Sequence, residues 1–150
     1  MAKEKRTNQK TTSSAIKKTV QVSRSSESEK VIWLFDMVDT GSPFAFDTSR
    51  KDFEHRNFLE KLLAYSRMTW GEVRRQTHDS GKSKHHYLTE VERLSKVAQV
   101  RIRELGLEND TDRIYSFALG NKLRIIGLRD REKFHVLWYD AEHKVYPSSR

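Results

Sequence analysis

Three apolar stretches near the C-terminal end follow one another with almost nothing between them. They are RIYSFAL (113–119), KLRIIGLR (122–129) and KFHVLWYD (133–140), and they are joined by GN and by DRE. Stretches rich in aromatic and β-branched residues are typical of strands, and joints this short favour antiparallel hairpins. The chain is therefore predicted to build its fold around three antiparallel strands.

The upstream half adds one strand and two helices. VIWLFDMVD (31–39) is a continuous apolar run that predicts a strand, and TGSP (40–43) ends it. Apolar residues at helical spacing predict helices over 51–68 and 89–105, and Gly106 is placed to end the second. The order β-α-α-β-β-β predicts an α+β domain, with both helices packed on one face of a curved, mostly antiparallel four-stranded sheet. The other face is predicted to stay open and to carry the working residues.

Two shorter segments separate the helices. Residues 68–76 read as a loop and a short helical turn, in which Thr69 and Glu72 have the spacing of a capping box. Residues 77–87 are polar, contain glycine and show no period, so they predict a loop.

The first thirty residues differ in composition from the rest of the chain. They hold eight Lys or Arg against three Glu and no aromatic residue, so they carry most of the formal net charge of +8. This composition predicts a disordered basic tail over residues 1–28 and a single domain over 29–150. The basic balance makes a polyanion, most simply nucleic acid, the leading class of partner.

Several classes of protein are disfavoured. The chain has no cysteine, hence no disulfide framework and no thiolate metal site, and no HExxH spacing occurs. The tail lacks the apolar segment of a secretory signal, and no apolar run approaches the ~20 residues that span a bilayer. We therefore expect a cytoplasmic protein with no membrane partner, no metal and no cofactor.

The second C-terminal strand carries two candidate arginines. Arg124 alternates with Leu123 and Ile125 and is predicted to point to the opposite face, while Arg129 ends the strand. Arg124 either contacts a phosphate there or pairs with a carboxylate such as Asp112 or Asp140.

The last strand combines an aromatic face with titratable residues. Alternation predicts that Phe134, Val136 and Trp138 face the core, which leaves His135 and Tyr139 on the open face. There the two side chains would orient or protonate a phosphate oxygen, or else form half-buried packing.

A basic and titratable segment follows this strand. Lys144 and Arg124 are predicted to hold a phosphate, with His143 or His135 as acid or base. Tyr146, which follows the strand, or Tyr139, which lies in it, is predicted to stack on or orient a base.

Two other interpretations of this segment remain open. Glu142 and Lys144 match the E-x-K spacing of metal-dependent nucleases, with Asp130 or Asp140 as a further ligand. Alternatively, Asp140 closes a turn by accepting hydrogen bonds from backbone amides after the strand.

The loop sequence GKSKHHYL (81–88) supplies further candidates. Lys84, His85 and His86 are predicted to contact phosphate from a flexible loop. The alternative is that His86 or Tyr87 has a structural role and packs, as a hydrophobic staple, against the start of the second helix.

The order of elements, the size and the terminal basic, His and Tyr cluster resemble the RelE/ParE superfamily of small bacterial toxins. That resemblance implies cleavage of RNA without a metal, on or off the ribosome, and an antitoxin protein as partner. Under it, the catalytic candidates are Arg124, His135, Tyr139, His143 and Lys144. The substrate-binding candidates are Arg129, Tyr146, Lys84, His85 and His86.

Residues 69–147 also resemble an uncharacterised family of bacterial and mobile-element proteins. The shared pattern consists of TW.E (69–72), HHYL (85–88), LSKVAQVRIREL (94–105), GNKLRIIGLRD (120–130) and FHVLWYDAEHKVYP (134–147). Two functions therefore stand side by side. One is a RelE-like toxin that cleaves RNA, and the other is a non-catalytic nucleic-acid-binding or protein-binding module of a mobile element.

Overall fold

The computed structural model describes residues 26–148, which form an α+β domain around a five-stranded mixed sheet. The tail predicted over residues 1–28 lies outside the described residues up to Ser25. Residues 26–28 are helical, and Glu27 contacts Arg74 at 2.8 Å. The strands are Ile32–Leu34 (β1), His86–Tyr87 (β2), Ile114–Ala118 (β3), Arg124–Asp130 (β4) and Lys133–Asp140 (β5). The helices with both ends described are His55–Ser66 (α1), Trp70–Arg75 (α2) and Lys96–Glu104 (α3), with 3₁₀ turns at Val91–Arg93 and Thr111–Arg113.

The strand order is β1-β5-β4-β3-β2, and three of the four pairings are antiparallel. The predicted hairpins β3–β4 and β4–β5 are confirmed, and the first strand joins the three C-terminal ones as expected. Two features differ from the prediction. β1 runs parallel to β5, and part of the predicted loop forms a fifth strand, β2, along β3.

Local signals set the ends of the helices. The capping box of α2 is present, with the Thr69 hydroxyl accepting a hydrogen bond from the Glu72 amide at 3.1 Å. Gly106 follows α3 with a left-handed φ of 71°, as expected of a residue that ends a helix. The helix predicted over 89–105 is shorter because Leu94 is extended, and α3 begins after the cap at Ser95.

Helices cover both faces of the sheet, so the predicted open face is wrong. One apolar core joins α1 and α2 to one face, through Leu62, Tyr65, Trp70, Val73, Tyr115, Phe117, Ile125, Phe134, Val136 and Tyr139. A second core joins α3 to the other face, through Leu94, Ala98, Ile102, Ile114, Ile126, Leu128, Leu137 and Trp138. Strands that are apolar on both faces need cover on both faces. This signal was present in the sequence, in β3, where only Ser116 interrupts the apolar residues, and in β4 between Ile125 and Leu128.

A β-bulge in β5 decides which side chains face which core. Ile126 pairs with Trp138 and Gly127 with Val136, so Leu137 is an extra residue without a partner in β4. Simple alternation ends at such a bulge. Leu137 and Trp138 both enter the second core, whereas Tyr139 enters the first. The predicted faces of Trp138 and Tyr139 are therefore wrong.

Candidate functional site

A pocket of about 460 Å³ lies beside β2, between the loop that precedes this strand and the segment that follows β5. We call it the basic pocket, because seven of its lining side chains are Lys, Arg or His. They are His78, Lys82, Lys84, His86, Arg93, Arg124 and His143. The single carboxylate in the lining belongs to Glu90, which forms an ion pair with Arg93 at 3.4 Å. The pocket therefore has a positive field suited to an anionic ligand.

The sheet and one buried carboxylate bring these residues together. Arg124 stands opposite Asp140 in the β4–β5 pairing. The Asp140 carboxylate accepts hydrogen bonds from the amides of Lys144 and Val145, both at 2.9 Å. These bonds close a turn that directs the chain toward β2, which carries His86. The interpretation of Asp140 as a turn residue is confirmed.

Arg124 provides a fixed positive charge in the wall of the pocket. Its side chain is almost buried, and Nη1 donates to the carbonyl oxygens of Gly120, Asn121 and Leu123 at 3.1–3.3 Å. Nε and Nη2 have no hydrogen-bond partner among residues 26–148. The one fully buried side-chain nitrogen or oxygen without a partner in this part of the chain is Nε1 of Trp33. The remaining donors of Arg124 are therefore not fully buried, and its side chain lines the pocket.

Two histidines present unused ring nitrogens to the same pocket. Nδ1 of His86 lies 3.1 Å from the backbone carbonyl oxygen of the next residue, Tyr87. Because a carbonyl only accepts, Nδ1 carries the proton in the neutral ring and Nε2 holds a free lone pair. The His143 ring makes no hydrogen bond to the described residues, and its backbone has a left-handed φ of 57°. Arg131, in the turn between β4 and β5, has the same φ, and at His143 this backbone belongs to the turn that Asp140 closes.

The pKa of His143 is lowered from its ordinary value of 6.5. Burial of the ring is the largest cause, and the positive charge of Arg124 adds to it, while Asp140 opposes both. At neutral pH the imidazole is therefore unprotonated and free to accept a proton.

Tyr146 adds an aromatic surface to the basic pocket. The Arg93 guanidinium lies over its ring, 4.7 Å from the centroid, and the His86 ring stands edge-on at 6.2 Å. The ring is partly exposed and also packs against the second core, so a nucleobase that enters the pocket can contact only the part of the ring that Arg93 and the core leave open.

The basic pocket contains five of the ten residues predicted from the sequence: Lys84, His86, Arg124, His143 and Tyr146. The structure places the other five elsewhere: His85, Arg129, His135, Tyr139 and Lys144.

Tyr139 and Lys144 lie outside the pocket for different reasons. Tyr139 is fully buried and stacks on Phe53 at 4.3 Å; its hydroxyl accepts from the Glu54 amide and donates to the Asp52 carbonyl. It therefore supports the core and not an open face. The Lys144 side chain is exposed and does not line the pocket.

Arg129 and His135 make structural contacts away from the pocket. The Arg129 guanidinium lies 3.9 Å from the centre of the Trp70 ring, and its Nε donates to the Arg131 carbonyl. His135 Nδ1 lies 2.7 Å from the Asp36 carboxylate near the start of β5, whereas the pocket lies beyond the end of that strand.

His85 is a buried structural residue. Its Nδ1 accepts a hydrogen bond from the Ala118 amide at 3.0 Å, and Nε2 lies 2.7 Å from the Gln76 side-chain oxygen. These partners require the neutral ring with the proton on Nε2. Burial is the main reason that the pKa of His85 falls to about 3, with the charge of Lys84 as the next cause.

The depressed pKa of His85 predicts a loss of stability in mild acid. Below pH 6.5 the unfolded chain protonates His85, but the folded chain does not until about pH 3. The free energy of unfolding should therefore fall as pH falls through this window, by about 1.4 kcal/mol per pH unit from this group. Urea denaturation at pH 7 and pH 5 measures the loss, which we expect to be about 2 kcal/mol.

The matched variants for this measurement are His85→Gln and His86→Gln. We expect His85→Gln to be less stable than the wild type at pH 7. Its free energy of unfolding should, however, fall less than that of the wild type between pH 7 and pH 5. His86→Gln changes the exposed neighbour and leaves His85 in place, so the loss of stability due to His85 between pH 7 and pH 5 should persist. If the free energy of unfolding changed equally with pH in the wild type and in His85→Gln, a neutral buried imidazole at His85 would be contradicted.

Three of the seven basic residues in the pocket were not predicted as site residues from the sequence: His78, Lys82 and Arg93. Lys82 had a visible signal, since it shares the GKSKHH run with three predicted residues, Lys84, His85 and His86. Arg93 had none, because its place beside Tyr146 depends on the break between the 3₁₀ turn and α3.

Within residues 26–148, no three His, Asp or Glu side chains are grouped closely enough to hold a metal ion. In the same part of the chain, the helices are all too short or too polar to cross a bilayer. No family model, curated protein or solved structure matches this chain.

Proposed function

We propose that this protein is a RelE-like toxin that binds RNA in the basic pocket and cleaves it without a metal. One observation carries the proposal: two histidines with free ring nitrogens share a pocket with a nearly buried arginine whose donors are not all used. An acid, a base and a fixed cation are the groups that phosphodiester transesterification needs.

Binding follows from the charge of the pocket. Lys82 and Lys84 face it without a carboxylate partner among the described residues. Arg124 forms no ion pair there but is attracted by the charge of Asp140, and Arg93 is partly neutralised by Glu90. A phosphate that enters exchanges water for charge-assisted hydrogen bonds, which are roughly twice as strong as neutral ones. RNA affinity should therefore fall steeply with salt, because each phosphate contact releases counterions.

The same residues account for cleavage. His143 is neutral at pH 7 and takes the proton of the ribose 2′-OH, whose oxygen attacks the adjacent phosphorus. Arg124 stabilises the charge that develops on the phosphate oxygens. The bond to the 5′-oxygen breaks, and that oxygen takes a proton from Nε2 of His86, which acts in this step as the imidazolium, with its other proton on Nδ1 bonded to the Tyr87 carbonyl. The products are a 2′,3′-cyclic phosphate and a 5′-hydroxyl.

Labelled single-stranded RNA tests this proposal in the presence of EDTA. We expect fragments that end in a 2′,3′-cyclic phosphate. The matched control is the same oligonucleotide with every 2′-OH methylated, which should bind but not be cut, because it lacks the proton that His143 removes. If unmodified RNA were bound but not cleaved, the proposal of an RNA-cleaving enzyme would be wrong, and a non-catalytic nucleic-acid-binding module would be the better interpretation.

Toxin activity has a separate readout. Expression in bacteria should arrest growth and produce new transcript ends, in whole cells and in extracts with or without ribosomes. We propose that an antitoxin would cover the basic pocket, which places its acidic side chains opposite Lys84 and Arg124. Normal growth together with intact transcripts would contradict the toxin assignment.

A further inference from the structure

A second pocket, of about 200 Å³, adjoins the basic pocket at the edge of the sheet. We call it the lysine pocket. It shares His78 and Lys84 with the basic pocket, and its remaining lining consists of Lys61, Tyr65, Ala118, Leu119, Gly120 and Asn121. The two pockets are therefore neighbours, with His78 and Lys84 lining both of them.

The lysine pocket is also suited to an anion. Lys61 projects from α1 and Lys84 from the loop before β2, and no carboxylate lines it. The Tyr65 hydroxyl is already used, since it donates to the Ala118 carbonyl at 2.8 Å. The two lysines, the shared His78 and the Asn121 amide are therefore the groups left to contact a ligand.

Arg124 contacts the walls of both pockets. Its guanidinium lines the basic pocket, while its Nη1 holds the carbonyls of Gly120 and Asn121, which line the lysine pocket. One almost buried side chain therefore contributes to the walls of both pockets.

We infer that the substrate is single-stranded RNA that occupies both pockets, with the reacting nucleotide in the basic pocket and a neighbouring phosphate in the lysine pocket. This inference rests on the proposed function. A single strand is favoured because Tyr146 lies inside a concave pocket, where a base contacts its ring only after leaving its stack. A duplex keeps its bases stacked and presents only its backbone.

Binding of uncleavable ligands tests the lysine pocket directly. The probes are adenosine 5′-monophosphate, a 2′-O-methylated trinucleotide and a 2′-O-methylated duplex. We expect the trinucleotide to bind about three- to tenfold more tightly than the monophosphate, since one more phosphate is contacted at a partly exposed site. The duplex should bind more weakly than a single strand of the same length.

The decisive variant is Lys61→Ala, with Lys144→Ala as the charge-matched control outside both pockets. Lys61→Ala should remove most of the trinucleotide advantage and lower the salt slope by about 0.7, the value for one phosphate contact on a single strand. Its affinity for the monophosphate should change less than twofold, and Lys144→Ala should leave both affinities at the wild-type level.

The outcomes separate the two proposals. If Lys61→Ala behaves like Lys144→Ala, the lysine pocket is not a subsite, although monophosphate binding would still support the basic pocket. Equal affinity for duplex and single strand would overturn the single-strand assignment. If the wild type binds none of the three ligands, the proposed function itself fails.

Discussion

Replacing His143 with asparagine should lower the rate of RNA cleavage by about 10²–10⁴-fold, the usual loss when a positioned acid or base is removed. Asparagine cannot take the proton of the 2′-OH, but it tolerates the left-handed φ of 57° at this position. Affinity for the 2′-O-methylated trinucleotide and the unfolding temperature should therefore stay close to those of the wild type. Single-turnover cleavage of labelled RNA measures the change.

Lys144→Ala is the control, because it alters the next residue without touching the basic pocket. It should cleave at the wild-type rate. Arg124 is a poorer first choice, since it also holds the turn at Gly120 and Asn121, and its removal would test folding and catalysis together.

The pH profile provides a second readout for His143. The rate should fall as acid protonates this base, and the midpoint should lie below 6.5, because burial and the charge of Arg124 lower its pKa. Rates measured between pH 4.5 and pH 8 locate that limb. Wild-type cleavage by His143→Asn, or an unchanged acid limb in that variant, would exclude His143 as the base.

Replacing Gly127 with alanine should destabilise the fold by at least about 3 kcal/mol, through overpacking of rigid backbone. A Cβ atom there would clash with the His135 carbonyl, and would lie 2.8 Å from Cζ of Phe134. Gly127 stands opposite Val136 beside the bulge at Leu137, where the two strands approach closely. Urea denaturation monitored by tryptophan fluorescence gives the difference in free energy of unfolding.

Gly120→Ala is the matched control for this loss. A Cβ atom at Gly120 would meet no atom nearer than 3.7 Å, so its stability should stay within about 0.5 kcal/mol of the wild type. If Gly127→Ala were equally stable, the bulge would be absent in solution. Trp138 and Tyr139 would then alternate regularly and exchange faces.

The C-terminal meander could be predicted because its information is local. Two hairpins followed from short joints between apolar runs, and the ends of α2 and α3 followed from Thr69, Glu72 and Gly106. Each of these features depends on residues a few positions apart, whose backbone hydrogen bonds are decided within one turn.

The layers of the domain could not be predicted in the same way. The position of α3 on the face opposite α1 depends on which apolar surfaces remain uncovered after the strands pair. The bulge at Leu137 depends on the β4 partner, and one inserted residue reverses every face assignment that follows it. That single residue moved Tyr139 from the predicted working surface into the core.

The candidate site shows the same division. The sequence alone determined the types of side chain near the end of β5 and in the GKSKHH run, and hence Lys84, His86, His143 and Tyr146 as candidates. Only the tertiary structure decided that these four face one pocket with Arg93, and that His85, one position from His86, is sealed in the core. The physical reason is that a residue's chemistry belongs to its side chain, whereas access to a ligand depends on strands and helices packed from distant parts of the chain.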